Sequence, residues 1–560
     1  MTPTEVLIAG AGPTGLVLAL WLAKMGVGVR IIDRSAAPGT TSRALAVQAR
    51  TLELYRQLDL TAEIIERGHK VPAVNLWARG ERAARVAFAS IGEELTPYPF
   101  LEIYPQDEHE QLLIARLQRL GVSVERRTEL TGFTDSGGGV RAQLRTADGN
   151  SHDCEALYLA GCDGARSLVR EALGSGFPGG TYRHVFYVAD IEGSGAPLDG
   201  ELHIDLDEAD LLGVFPLAGA GRARLIGTVR DERAEHPESL RFEDVSQRAI
   251  QHLGLSVGKV NWFSTYHVHH RVAAHFGRGH VFLLGDAAHI HSPVGGQGMN
   301  TGIGDAINLA WKLAAVLGGN AQEALLATYQ SERVGFAQRL VATTDRVFTF
   351  ATAQGKIADL LRTRLAPALL AQALALEPVR EYLFRTVSQV MINYRGSALS
   401  AGVAGTVHGG DRLPWVAADA ADNYASLAAI AWQVHVYGSA SEGLHAACVA
   451  HALPLQVLPW SPVHGSAGLE RDALYLLRPD TYVALADRAA DPATLARYFS
   501  ERSLRPGVRR SVYRRRYGAR PPLPRAARAS KLRAQTSVKM AVHRWQKGMA
   551  TLRCWPARAG

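Results

Sequence analysis

Three aspartates in this chain stand where a short apolar run stops at a glycine-containing turn. Asp33 ends the run Val27 to Ile32, Asp163 precedes Gly164 in Y-L-A-G-C-D-G-A-R-S-L-V-R, and Asp286 follows Gly285 after Val281 to Leu284. A carboxylate at the end of a buried strand can accept hydrogen bonds from sugar-like hydroxyls while fixed to a rigid element. The third acid lies in the most informative stretch, Val281 to Leu313, V-F-L-L-G-D-A-A-H-I-H-S-P-V-G-G-Q-G-M-N-T-G-I-G-D-A-I-N-L-A-W-K-L. It reads as a buried strand, the pair Gly285-Asp286, a loop from Pro293 to Gly296 without bulky side chains, and a helix from about Met299. Ile303, Ile307, Ala310, Trp311 and Ala314 give that helix one apolar face. Its first N–H groups, near Gly298, Met299 and Asn300, have no carbonyl partner within the helix and can face an oxygen that becomes negative.

The N-terminal stretch supplies the second half of a cradle. Val6 to Ala9 is a short apolar strand running into G-A-G-P-T-G, with Gly10, Gly12 and Gly15 at the GxGxxG positions. Leu16, Ala19, Leu20 and Ala23 follow at helical spacing, and a second strand ends at Asp33, with Arg34 beside it. Strand, glycine turn, helix, strand and acid together form the dinucleotide fingerprint: glycines for the turn, the pyrophosphate approach and helix packing, and an acid for a ribose.

Length and composition bound what can surround these sites. At 560 residues, two to four domains are expected, and 47% hydrophobic with 20% charged residues is ordinary globular composition. The net charge of +8 is unevenly placed. Residues 505 to 560 hold 16 Lys and Arg and no Asp or Glu, which leaves 45 basic against 53 acidic residues in the body. The four cysteines, Cys154, Cys162, Cys448 and Cys554, form no CxxC and no metal spacing, so no metal site is expected and a reduced, cytoplasmic protein is. The N-terminus runs straight into the cofactor strand without a secretory signal. The longest apolar run, Leu16 to Val29, is interrupted by Lys24 and two glycines, so no membrane span is expected.

GxGxxG, an internal D-G and a late G-D-A-A-H, in this order and at these separations, resemble the FAD-dependent aromatic hydroxylases, the single-component flavoprotein monooxygenases. The resemblance spans about residues 4 to 400. It is strongest to the branch containing phenol hydroxylase, 3-(3-hydroxyphenyl)propionate hydroxylase and the polyketide hydroxylases, whose members carry an extra C-terminal thioredoxin-like domain. It implies non-covalent FAD, NADPH or NADH as a transient donor without a Rossmann domain of its own, O2, and oxygen transfer to a phenolic or polyketide ring through a flavin C4a-hydroperoxide. Arg43, in S-R-A, is implied to lie near the flavin and its phosphates, and Gln106, in Q-x-x-x-E-x-x-L with Glu110 and Leu113, to bind the ribityl or pyrophosphate region. Glu110 reads more simply as a first-turn acid favoured by the helix dipole. The family usually has Glu at Asp33 and a long side chain at Gly304, so Gly304 could enlarge a pocket beside the flavin. The cofactor set is Gly10, Gly12, Gly15, Asp33, Arg34, Arg43, Gln106, Asp163, Gly285, Asp286, Gly298, Met299 and Asn300.

The expected architecture is mixed α/β and α+β: a Rossmann-like FAD-binding domain at 1–75, 105–176 and 277–400, interleaved with a substrate-binding sheet at 76–104 and 177–276. A thioredoxin-like domain without CxxC follows at 406–504, then a basic, disordered tail at 505–560. The residue that activates the substrate is not specified; His203, Tyr266, His267 and Pro293 are weak candidates, since a histidine or tyrosine on a strand is more often packed than catalytic. Expected partners are a small aromatic substrate and, as monomer or homodimer, a second copy of the chain. No nucleic acid is expected, and the basic tail leaves contact with an acidic membrane open. Baeyer–Villiger or quinone-forming oxygenation on the same scaffold is the alternative chemistry, and a non-enzymatic flavin-bound interaction protein the alternative class.

Overall fold

The computed structural model describes residues 3–40, 44–78, 80–206, 211–229, 240–245, 247–292, 294–352, 372–373, 376–418 and 421–506. The tail beyond, where disorder was expected, lies outside the described residues.

Three sheets organise the rest. In the first, parallel strands run in the order Val281–Leu283, Ser151–Gly161, Thr4–Ala9, Val29–Asp33 and Val124–Arg126, with Gly277–Arg278 antiparallel on one edge and the meander Glu129–Asp135 and Val140–Arg145 attached to Ser151–Gly161. The strands Thr4–Ala9 and Val281–Leu283 are buried throughout, as their continuous apolar sequence requires of a sheet covered on both faces. Ala9 pairs with Ile32 and Gly161, and Gly161 with Leu283. That register brings the glycine fingerprint, Asp33, Asp163 and Asp286 out at one end of the sheet, where ligands of open α/β sheets bind.

Helix Pro13–Lys24 packs on this sheet through Leu16 to Leu22, all buried, and against helix Gly298–Leu317. The second helix begins one residue earlier than its apolar spacing indicates and buries Ile303, Ile307, Ala310 and Trp311 as expected.

The second sheet has eight strands, in the order His289–Ile290, Ser256–Val272, Gly179–Ser194, Arg222–Val229, Leu211–Pro216, Leu202–Leu206, Ala73–Ala78 and Glu81–Ala87. Ala73–Ala78 and Glu81–Ala87 form a hairpin turning near Gly80, whose φ of +78° is left-handed. Leu101–Ile103 does not join it; it pairs instead with Ala46–Val47 and His69–Val71 in a small third sheet. One face of the second sheet, with Val185, Tyr187, Ile191, Val214 and Leu225, packs under Phe242, Ile250 and Leu253. The other carries Phe186, Tyr266, Ile226 and Phe215, and this face meets Leu45, Ala46, Leu101 and Ile103 of the cofactor side. His289–Ile290 is the edge strand of the second sheet and issues directly from the Gly285-Asp286 turn, so one loop belongs to both walls.

A six-stranded sheet closes the chain, in the order Val407–His408, Ala401–Ala404, Val483–Asp487, Leu474–Leu477, Gln433–Tyr437 and Leu455–Leu458. Its strand Gln433–Tyr437 follows a 3-10 turn at Ala425–Ala428.

Candidate functional site

The fingerprint turn is built by close approach. Gly10 has φ +105°, and a Cβ there would lie 2.2 Å from the Cys162 carbonyl oxygen; a Cβ on Gly15 would lie 2.1 Å from the Gly10 oxygen. Gly12 differs: it is extended, and a Cβ on it would meet nothing within 4 Å. It is the N-cap of Pro13–Lys24, and no side chain caps that helix. Open space in front of an uncapped helix N-terminus is where an anionic group fits. Asp33 fixes the turn from the next strand, its carboxylate accepting from Ala11 N at 2.8 Å and Ser35 N at 2.7 Å; Arg34 is exposed beside it.

The second cradle is the loop before Gly298–Leu317. Gly295 and Gly296 both have left-handed φ, +76° and +63°, and a Cβ on Gly296 would press into Ala46. The Asn300 amide stitches the helix start to the strand Ala46–Val47, donating to the Ala46 and Gly296 carbonyls and accepting from Gln48 N and Thr51 Oγ1. Asn300 thus spends its side chain on architecture, leaving the backbone N–H groups of the first turn as the ligand-facing donors. Gly298 and Met299 are half-buried there, and this N-terminus too has no side-chain cap. Two buried polar atoms nearby, His291 Nε2 and Ser292 Oγ, have no hydrogen-bond partner among the described residues. His291 donates from Nδ1 to the Ser292 carbonyl oxygen at 2.8 Å, and burial, followed by the nearby His289, pushes its pKa down to about 4.

Behind the loop lies a buried charged knot. Asp305 accepts from Gly285 N at 3.0 Å, sits 2.7 Å from His289 Nε2, and accepts from Arg333 Nε at 2.6 Å. The Arg333 guanidinium also donates to the Thr301 carbonyl and Tyr394 Oη. Burial alone would raise the Asp305 pKa, but Arg333 and His289 overcome it and hold the carboxyl below its ordinary value. The knot ties the Gly285-Asp286 turn, the edge strand and the helix start into one unit. Gly304 faces it: a Cβ there would stand 3.1 Å from Arg333 Nη2, so the missing side chain makes room for Arg333 rather than for a substrate.

The other expected site residues fall as follows. Asp286 is exposed at the mouth of its turn, and Gly285, at φ +58°, packs against Thr14. Asp163 caps the short helix Leu168–Ala172, accepting from Ser167 Oγ at 2.6 Å and Val169 N at 3.1 Å. Gln106 opens helix Gln106–Arg119 and donates to Glu110 Oε1 at 2.8 Å. Glu110 is buried with its pKa raised, first by desolvation and with Asp33 adding to the rise. Arg43 and Pro293 lie outside the described residues. Of the proton-transfer candidates, His203 engages both ring nitrogens, with Trp77 Nε1 donating at 2.9 Å and Asp199 at 2.9 Å. Tyr266 packs on Phe186 with ring centroids 5.7 Å apart, and His267 is exposed. Among the described residues no cluster of His, Cys, Asp or Glu could hold a metal, and no helix is long and apolar enough to cross a membrane.

A crevice with two uncapped helix N-termini, a fingerprint acid and a side-chain-free loop fits a flavin dinucleotide. Residues 3–344 match the family described as FAD binding domain, and the chain belongs to that family of flavoproteins. Similar proteins include several monooxygenases. The chain is 38% identical over 403 residues to the 6-methylpretetramide 4-monooxygenase of Streptomyces rimosus, covering 70% of this chain and 69% of that one. It is 32% identical to the pentachlorophenol 4-monooxygenase of Sphingobium chlorophenolicum, over 73% and 75%. Among solved structures it superposes on the OxyS anhydrotetracycline hydroxylase from Streptomyces rimosus with a TM-score of 0.72 at 28% identity, covering 89% of this chain and 98% of that one. The chain is an FAD-dependent aromatic monooxygenase.

Proposed function

We propose that the protein hydroxylates a phenolic ring of a polyketide-type aromatic, using NADPH or NADH and O2. The observation that carries this reading is the shared loop. The strand His289–Ile290 closes the aromatic-faced sheet, and the glycine run after it enters helix Gly298–Leu317, so the second sheet's Phe186, Tyr266, Ile226 and Phe215 face the cofactor side of one crevice. Two relatives are named as monooxygenases of 6-methylpretetramide and of pentachlorophenol, which favours a flat phenolic substrate against that face.

FAD, when bound, supplies the electron relay from the nicotinamide and the activation of O2. The chain's own residues do the rest. Gly12 leaves room for the pyrophosphate at the first helix N-terminus, and Asp33 and Asp286 hold sugar and ribityl hydroxyls. Gly10, Gly15 and Gly285 set the turns, Arg34 and Gln106 lie along the same end of the sheet, and Asp163 holds the D-G turn by capping. The N–H groups of Gly298, Met299 and Asn300 stabilise negative charge that develops beside them. Gly295 and Gly296 let the backbone close over the ring system, which excludes water.

The division of labour we infer is a cofactor domain of 1–75, 105–176 and 277–400, a substrate sheet of 76–104 and 177–276, and a thioredoxin-like domain within 406–504. Supporting the last is the order from Gln433 onward: strand, helix, strand, helix, two strands, helix, with Leu455–Leu458 parallel to Gln433–Tyr437 and the last two strands antiparallel. Its one cysteine, Cys448, is buried with its thiol pushed up to about 11 by desolvation, which suits packing rather than redox chemistry.

The test is NAD(P)H oxidation by the FAD-loaded protein with a panel of phenols, arylpropionates and polyketide quinones, with H2O2 quantified. Strong stimulation by one compound with little peroxide and a product one oxygen heavier is expected. No stimulation across the panel, or stimulation with stoichiometric peroxide throughout, overturns the reading.

A further inference from the structure

The parallel pairing of Val29–Asp33 with Val124–Arg126 sets Asp33 and Arg126 opposite each other at the ligand end of the first sheet. Glu125, one residue earlier, points to the other face and forms a two-pronged pair with Arg30. Arg126 therefore shares the crevice side with the fingerprint acid. Its Nη1 stands 3.8 Å from Asp33 Oδ1, an ion-pair separation too long for a hydrogen bond, and its Nη2 is buried with no partner among the described residues. Both carboxylates beside it are already engaged, Asp33 by Ala11 N and Ser35 N, Glu110 by Gln106. A guanidinium carries five N–H donors, and this one makes no hydrogen bond among the described residues although four-fifths of its side chain is covered. Native structures rarely leave such a group unsatisfied unless something else completes it.

We propose that Arg126 is a cofactor-selecting residue that donates hydrogen bonds to the adenosine half of bound FAD, making the site specific for the dinucleotide over the mononucleotide. The inference rests on the functional reading above only in taking FAD as the resident cofactor. Place decides the half. Arg126 sits at the Asp33 edge of the sheet, whereas the Gly285-Asp286 turn, which Asp305 and Arg333 tie to the start of helix Gly298–Leu317, leaves the strand Val281–Leu283 on the other side of the fingerprint strand. Charge decides the ligand. Asp33 in register with Arg126 would oppose a 2′-phosphate, so the ribose that fits carries free hydroxyls, as in FAD. The acceptors are ribose oxygens and adenine ring nitrogens, which a planar fork of donors suits.

The experiment uses the full-length apoprotein. FAD and FMN are titrated by flavin fluorescence, and melting temperatures are measured with and without FAD, for wild type, Arg126→Leu and Arg126→Lys. Loss of a hydrogen bond from a charged donor predicts FAD binding weakened about tenfold or more in Arg126→Leu, with partial recovery in Arg126→Lys. The melting temperature without FAD stays at the wild-type value, the rise that FAD produces shrinks, and FMN, lacking the adenosine half, binds both proteins alike. Unchanged FAD affinity overturns the proposal. So does equal weakening for FAD and FMN, or a fall in melting temperature that is the same with and without FAD, since each marks a purely structural role. A wild-type protein that takes up no FAD overturns the functional reading together with this one, a result distinct from a variant that fails alone.

Discussion

Replacing Asp305 with Asn keeps the shape of the side chain and removes the charge that the knot behind the cofactor loop is built on. The wild-type carboxylate is 0% exposed and faces Arg333 at 2.6 Å and His289 at 2.7 Å. The substituted amide could still accept from Gly285 N, but Arg333, itself 1% exposed, would be left as a buried cation beside the neutral Thr301 carbonyl, Tyr394 Oη and Phe336 ring, with no charged partner among the described residues. Breaking a buried pair from one side costs about 3–5 kcal/mol, because the remaining charge stays desolvated without its counterion. The pair as a whole is worth far less than that. Removing both charges, Asp305→Asn with Arg333→Met, should therefore recover most of the loss, with a coupling of about 2 kcal/mol or more between the two sites. Chemical denaturation of the four proteins of this cycle at pH 7 measures it, and FAD titration alongside reports whether the Gly285 turn has moved. FAD affinity should fall in Asp305→Asn and return in part in the double variant. Additive losses, with the double variant as weak as the sum of the singles, would refute the idea that Arg333 is held by Asp305 rather than by its neutral neighbours.

Two further outcomes follow from the same structure. Gly12→Val should fold normally, since a Cβ there meets no protein atom within 4 Å, yet lose FAD because it fills the space before the helix; Gly15→Val, driven into the Gly10 carbonyl, should lose soluble folded protein outright. Melting curves without FAD separate the two. Glu102 is buried, neither carboxyl oxygen has a hydrogen-bond partner among the described residues, and desolvation, opposed only weakly by Lys70, pushes its pKa from 4.5 up to about 8. The folded state thus binds more protons than the unfolded one between pH 4.5 and 8, so this group makes stability fall as pH rises through that window, by about 3 kcal/mol up to pH 7. Glu102→Gln should flatten that part of the slope in denaturation series from pH 5 to 8, and parallel wild-type and variant slopes would count against a protonated Glu102.

What the sequence makes legible here is whatever depends on backbone geometry near one position. The glycines of the fingerprint, the strand at Val281 and the helix after Gly298 are readable because φ, close approach and apolar period are local properties. What it hides is whatever depends on which strands become neighbours. Asp163 and Asp33 look alike as acids ending strands, yet one caps its own helix and the other holds the fingerprint turn, a distinction made by Ser167 and Ala11 and not by the acids. Glu110 reads as a solvated first-turn acid until the fold buries it beside Gln106 and Asp33. Gly304 reads as space beside a cofactor until Arg333, from the next long helix, occupies that space. Arg126 gives no local signal at all; its meaning comes from the register that sets it opposite Asp33.

The same reasoning explains how the C-terminal sheet bears on the site. Arg478 reaches from it to Glu332, on the helix that also carries Arg333, and Asp480 accepts from Trp311 Nε1 on the helix that begins at Gly298. Lys312 completes the group at 2.8 Å from Glu332, with burial lowering its pKa to about 8. Arg50 donates to the Asp480 carbonyl and Thr481 Oγ1, and it belongs to the helix just after Ala46–Val47, the strand that Asn300 grips. Trp311 and Lys312 lie on the helix that begins at the cofactor loop, and Glu332 and Arg50 lie on the two helices bound to its start through Arg333 and through Asn300. Buried charge pairs of this kind contribute little net stability, but they penalise every arrangement in which a partner is misplaced. A long helix whose far end is pinned by such pairs cannot slide, so the N–H groups at its near end stay where the glycine loop sets them.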